Sequence, residues 1–123
     1  MPASPDLAAF IRDHFPSVWA LELLLFLKND PSCAWRNEEL VQALRASDAI
    51  VTKSLEVLLA GGLTVSDDEG TVQYAPASDS LRNLVDRTQE LYARKPDAVR
   101  KLIVSSARGG LSAFADSFRL WRN

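Results

Sequence analysis

The sequence predicts a mainly α-helical protein that carries one small β-hairpin. Most apolar residues recur at helical spacing, in segments bounded by capping residues and prolines. Only residues 63–66 and 71–75 alternate between apolar and polar side chains, which is the pattern of half-buried β-strands. Hydrophobic residues make up 47% of the 123 residues, which suits one core and argues against a disordered chain.

The first third of the chain predicts a short helix and then a long one. Leu7 to His14 is expected to be helical, within an N-terminal arm of residues 1–15. The longer helix is predicted from Pro16, a residue suited to a first helical turn, to about Asn29. Apolar residues cover most of its circumference, so it is either the central core helix or partly buried in a subunit interface. Cys33 to Trp35 is a candidate for a short extra strand that completes the hairpin.

The middle of the chain predicts two short helices, separated by a three-residue break and followed by the hairpin. Asn37 is the predicted N-cap of the first helix and Ser47 that of the second. Gly61 or Gly62 is expected to end the second helix in the left-handed conformation. Gly70 can supply the positive φ of the tight turn between the two strands.

The last third predicts further helices with an apolar seam. Ser78 or Asp79 caps the first of them, and Pro96 begins the next. The seam is either internal core or a dimer interface, and we favour the dimer because a helix beyond the hairpin has little of its own domain to pack on. The predicted dimer interface comprises Leu81, Leu84, Val85, Leu91, Tyr92, Phe114, Phe118 and Trp121.

This order of elements resembles the winged helix-turn-helix superfamily of bacterial transcriptional regulators. The residues that carry the resemblance are Asn37-Glu-Glu-Leu40, the run Ser47-x-x-x-Val51-x-x-x-Leu55-x-x-Leu58, Gly62-Leu63, Gly70 and Tyr74. It covers residues 16–77, and the helical extension of residues 78–123 is similar to the dimerisation helices of such regulators. The resemblance implies a homodimeric, DNA-binding transcriptional regulator.

The resemblance also implies which residues meet DNA. In DNA-binding winged helices the second helix of the motif enters the major groove. Its outward residues Ala49, Thr52 and Lys53 are therefore the predicted DNA contacts, with Arg36 and Arg45 as phosphate contacts.

The charge of the same unit favours a different partner. Residues 16–77 hold 4 basic and 9 acidic residues, whereas residues 78–123 hold 9 basic and 5 acidic ones. The turn of the hairpin carries Asp67, Asp68 and Glu69, where DNA binders need positive charge. The alternative interpretation is a protein-interaction module whose acidic hairpin docks a protein partner without binding DNA.

Several function classes are not expected. The sequence has one His, one Cys, no cluster with metal-ligand spacing and no glycine-rich phosphate loop, so we expect no enzyme, cofactor or metal site. The most apolar run, residues 18–27, contains Glu22 and is too short to cross a bilayer. Cys33 is the only cysteine, which is typical of a reducing compartment, and we expect a cytoplasmic protein without a membrane partner.

Overall fold

The computed structural model describes residues 5–104, which form a mainly helical fold with one small antiparallel sheet. Residues 96–104 are also helical, after a break at Lys95. The helices are α1 (Pro5–His14), α2 (Val18–Asn29), α3 (Asn37–Leu44), α4 (Asp48–Ala60) and α5 (Asp79–Arg94), and the strands are β1 (Trp35–Arg36), β2 (Thr64–Ser66) and β3 (Thr71–Tyr74). The predicted fold class, mainly α with a small β-hairpin, is confirmed at this level.

Serine side chains fix where three of the helices begin. Ser47 and Ser78 cap α4 and α5, as predicted. Ser17 caps α2, because its hydroxyl accepts a hydrogen bond from the backbone N–H of Ala20 at 3.3 Å. The prediction that Pro16 begins this helix was therefore wrong, and Pro16 lies before the cap.

The start of α3 differs from the prediction by one residue. Arg36 occupies the N-cap position, and its backbone N–H donates to the Glu39 carboxylate at 2.9 Å. Asn37 is the first helical residue, and its side-chain amide donates to the Asp48 carboxylate across the break. Asn37 therefore joins the two helices instead of capping the first.

The sheet is a hairpin with one short added strand, in the order β1-β3-β2. Thr64 pairs with Tyr74, and Trp35 pairs with Val72. The predicted extra strand exists but begins only at Trp35. Gly70 adopts a φ of 82° and its N–H donates to the Asp67 carbonyl at 3.2 Å, which confirms the predicted tight turn.

The chain leaves α4 through a pair of glycines with different conformations. Gly61 stays in the right-handed region, whereas Gly62 has a φ of 76°. A Cβ on Gly62 would also meet the Ala77 side chain at 3.4 Å. Gly62 is thus the left-handed residue that turns the chain towards β2.

One hydrophobic core joins all three predicted segments of the chain. Its centre is α2, whose Leu21, Leu24 and Leu27 have no exposed surface. Ile11 from α1 and Ile103 from the last described helix belong to the same core cluster. Most of the apolar circumference of α2 is therefore buried within one chain, whereas Trp19 stays 40% exposed.

Polar contacts hold α5 along α2. The Lys28 ammonium donates to the Gln89 side chain at 2.7 Å and pairs with Asp86 at 3.2 Å. One turn further along α5, the Tyr92 hydroxyl donates to the Glu22 carboxylate. The helix after the hairpin thus has a packing surface in its own domain, contrary to the expectation that motivated the dimer prediction.

This packing buries part of the predicted dimer seam within the same chain. Val85 has 0% of its surface exposed, so it is a core residue with nothing left for a partner. The other four seam residues in this part of the chain are half-buried against the core and keep some accessible surface: Leu81, Leu84, Leu91 and Tyr92. Phe114, Phe118 and Trp121 lie outside the described residues.

Within residues 5–104, no helix combines the length and the apolar character that crossing a bilayer requires.

Candidate interaction surface

The outward side of α4 is uncovered. The helix buries Val51, Ser54, Leu55 and Leu58 on one side. At 100° per residue, the opposite side presents Ala49, Thr52, Lys53 and Glu56, and all four are exposed. The sequence pattern therefore identified the accessible side of this helix correctly.

Two side chains on this side are free to bind a partner. Within the described residues, neither Lys53 nor Thr52 makes a side-chain hydrogen bond or an ion pair. By contrast, Lys28 is committed to Asp86 and Gln89. Lys53 is thus an available cation on the α4 surface.

Arg45 lies in the turn that leads into α4 and has an unusual backbone. Its φ is 54° and its ψ is 38°, which makes it the only non-glycine residue with a positive φ among the described residues. Its backbone N–H donates to the Val41 carbonyl, so it closes the end of α3 in the position that glycine or asparagine usually takes. An L-residue is strained there by about 1 kcal/mol, and within residues 5–104 the exposed arginine side chain makes no hydrogen bond or ion pair that would offset this strain.

Arg36 approaches the start of α4 from the other end of α3, beside Asn37, whose side-chain amide donates to the Asp48 carboxylate. Arg36 is exposed there, where it also forms the second residue of β1. The structure thus puts Arg45 in the turn directly before α4, and it puts Arg36 next to Asn37, which contacts the first residue of α4.

The hairpin turn is an ordered, negatively charged surface. The Asp67 carboxylate accepts the Thr71 hydroxyl at 2.6 Å and the backbone N–H groups of Glu69 and Thr71 at 2.9 Å each. The hydrogen bond from the Thr71 hydroxyl, followed by those from the backbone, holds the pKa of Asp67 below its ordinary value of 3.8. Asp67 is therefore ionised at neutral pH, and Asp68 and Glu69 are exposed beside it.

The charges on these elements are unevenly distributed. The basic side chains are Arg36, Arg45 and Lys53. The acidic ones are Glu38, Glu39, Asp48, Glu56, Asp67, Asp68 and Glu69. The least negative part is the α3–α4 turn with the first two turns of α4, and the most negative part is the hairpin turn.

Beside the uncovered side of α4 lies a solvent-open cleft of about 280 Å³. It is lined by Pro16, Ser17, Trp19, Ile50, Lys53, Ser54 and Val57. Trp19 is 40% exposed and Ile50 is 36% exposed, so two large, partly exposed apolar side chains line the same cleft. Sequence analysis missed this cleft because it forms only where the start of α2 meets α4, two elements about thirty residues apart in the chain.

Residues 5–104 contain no group of three or more His, Cys, Asp or Glu side chains that could hold a metal ion. The acidic residues of the hairpin turn are no exception, because the Asp67 oxygens are engaged by their own loop.

Comparison of the chain with models of protein families, with curated proteins and with solved structures finds no match. The chemistry of the exposed surfaces therefore has to support any functional proposal.

Proposed function

We propose that residues 16–77 form a winged helix-turn-helix domain and that the chain is a transcriptional regulator that binds DNA as a homodimer. The order α2, β1, α3, α4, β2, β3 supports this proposal, as do the three-residue break between α3 and α4 and the β1-β3-β2 sheet. In this domain α4 is the helix that enters the major groove, and the β2–β3 hairpin is the wing.

The observation that carries the proposal is the uncovered side of α4. Thr52 and Lys53 are exposed there without partners among the described residues, and Arg45 is held in a strained conformation at the start of the helix. Lysine and arginine contact phosphate, and threonine donates to either phosphate or base edges. Ala49 leaves room for close approach of the groove.

The acidic wing limits how the DNA is bound. Asp67, Asp68 and Glu69 would repel phosphates, so contacts are confined to the α3–α4 turn and α4. With Arg45 and Lys53 as the phosphate contacts of each protomer, a dimer neutralises about four phosphates. The logarithm of the affinity should then fall with the logarithm of the salt concentration with a slope of roughly −4.

A salt titration with mixed genomic fragments tests this mode. Lys53→Ala should weaken binding at low salt and flatten the slope by about 2 for a dimer, because one phosphate contact per protomer is lost. The matched control is Lys101→Ala, which removes an exposed lysine from the last described helix and should change neither quantity. If the two variants lose the same affinity, the α4 surface is not the binding site.

A protein-interaction module is the second candidate, and the ordered acidic wing favours it. Three hydrogen bonds to Asp67 fix a turn from which Asp68 and Glu69 project, as a docking site for a basic protein would require.

One variant separates the two candidates. In the double variant Asp68→Lys and Glu69→Lys, DNA affinity should rise about tenfold at low salt if the wing lies near phosphates. The protein-interaction candidate instead requires that a partner captured by the unchanged chain be lost with this variant. Unchanged capture contradicts the second candidate, and unchanged or weaker DNA binding contradicts the proposed repulsion between the acidic wing and the phosphates.

A further inference from the structure

The cleft between α2 and α4 has the composition of a small-ligand site. Trp19, Ile50 and Val57 supply apolar walls, and both Trp19 and Ile50 keep more than a third of their surface exposed. Its volume of about 280 Å³ lies just below the range of roughly 300–1,000 Å³ that drug-sized ligands occupy. A ligand that fills it is therefore small, on the scale of one ring system with one polar group.

The electrostatics of the cleft select an anion. Among the lining residues that belong to residues 5–104, Lys53 is the only charged one, and none carries a carboxylate. The first turn of α2 also contains no acidic residue, so its unpaired backbone N–H groups keep their partial positive charge. The Ser17 hydroxyl satisfies only one of these groups, that of Ala20.

Ser54 supplies a second polar group to the cleft, beside Lys53. Ser54 is 6% exposed and lines the cleft, and its hydroxyl makes no hydrogen bond within residues 5–104. The Ser54 oxygen is not one of the buried polar atoms that lack a partner in this part of the chain, so it is accessible from the open cleft and available to a ligand. A ligand oxygen placed between Ser54 and Lys53 would satisfy both groups.

We propose that this cleft binds a small apolar carboxylic acid, with its ring or branched chain against Trp19, Ile50 and Val57. Its carboxylate accepts hydrogen bonds from the Lys53 ammonium and the Ser54 hydroxyl. The C-terminal segment 105–123 is a poorer occupant, because it carries three arginines and one aspartate and so has the same sign of charge as Lys53. This site goes beyond the proposed function and does not depend on it, since its test contains no DNA.

The test is an NMR titration of the full-length, ¹⁵N-labelled chain with indole-3-acetate and, in parallel, with the neutral indole-3-acetamide. The acid should shift the backbone amides of Ile50, Ser54 and Val57 in a saturable way, with a Kd of about 1 mM or tighter for a ligand of this size. The amide has nearly the same shape without the charge and should bind about fivefold more weakly.

Two variants locate the interaction. Lys53→Met should lower the affinity for the acid about fivefold and leave that for the amide unchanged, because only the charge pair is removed. The control Lys101→Met removes an exposed lysine elsewhere and should leave both affinities unchanged.

Any of three results overturns the proposal. The first is the absence of shifts at Ile50, Ser54 and Val57 at about 20 mM acid, well above the expected Kd. The second is equal affinity of the unchanged chain for acid and amide, or an affinity for the acid that Lys53→Met does not alter. The third is a shift of the same three amides, without ligand, in the double variant Phe118→Ser and Trp121→Ser, which would identify the C-terminal segment as the occupant.

Discussion

The outward side of α4 and the apolar seam of α5 are both regular helical surfaces, but only the first is left uncovered. Val85 in the seam has no exposed surface, whereas Ala49, Thr52, Lys53 and Glu56 on α4 are all exposed. The seam packs against α1 and the core of the same chain, and polar contacts join α5 to α2. An apolar stripe is stabilised by burial against any apolar surface, so its pattern does not specify whether that surface belongs to the same chain or to a partner.

The polar side of α4 behaves differently because charged side chains resist burial. Lys53 and Glu56 would lose hydration in the core without a partner, so this side of the helix stays at the surface. A charged stripe therefore predicts accessibility more securely than an apolar stripe predicts a dimer.

The largest effect expected from this comparison is at Val85. A carboxylate placed at this enclosed site by Val85→Asp should lower the free energy of unfolding by about 4 kcal/mol. Denaturant unfolding followed by circular dichroism measures the loss, and it should be independent of protein concentration because the site is within one chain. A small loss of stability, or a loss that shrinks as the protein concentration rises, would contradict burial of Val85 within one chain and would indicate a subunit interface instead.

A smaller effect on stability, together with a change of mass, is expected at Leu84. This residue is half-buried, so Leu84→Glu should cost about 1–2 kcal/mol. If the remaining seam surface joins the proposed homodimer, light scattering should give the mass of two 13.6 kDa chains for the unchanged protein and of one for the variant. The control is Arg82→Glu, a change at an exposed neighbouring position, and this variant should have the same mass as the unchanged protein.

At the start of α4, stability and binding should change in opposite directions. Arg45→Gly removes the left-handed strain and should raise the free energy of unfolding by up to about 1 kcal/mol. The same change removes a phosphate contact and should weaken DNA binding about threefold at low salt. An arginine whose loss stabilises the fold without weakening DNA binding has no role in the proposed interface.

The subtlest prediction concerns the pH dependence of the wing. The folded-state pKa of Asp67 is lowered, chiefly by the hydrogen bond from the Thr71 hydroxyl. The ionised carboxylate therefore stabilises the fold at neutral pH, and this stabilisation is lost as the pH falls through the lowered pKa. The Thr71 amide resonance should therefore titrate with a midpoint below 3.8. The variant Asp67→Asn should remove this transition and Asp68→Asn should retain it. A midpoint at or above 3.8 would contradict the hydrogen-bonded turn.

Local chemistry explains which features of the fold could be predicted. Ser47 and Ser78 cap their helices, and Gly62 and Gly70 take positive φ angles, because each depends only on nearby backbone groups. The one-residue error at Asn37 arose because the Glu39 carboxylate satisfied the backbone N–H of Arg36. Local competition of this kind depends on side-chain geometry that sequence spacing does not contain.

The candidate site could be predicted only in part. The exposure of Thr52 and Lys53 followed from the helical period of α4. The positive φ of Arg45 could not be predicted, because it depends on how α3 ends. The cleft beside Trp19 could not be predicted either, because it depends on how α2 crosses α4. The sign of the charge on the hairpin turn was evident from the sequence, but the hydrogen bonds that order Asp67 were not.

The measurement that tests the central claim most directly is the DNA affinity of the unchanged chain at increasing salt, read by fluorescence anisotropy on mixed genomic fragments. DNA contact through the uncovered side of α4 predicts binding at about 50 mM salt that weakens with a slope of roughly −4 for a dimer. A flat anisotropy at that salt concentration, with the chain folded by circular dichroism, would contradict it.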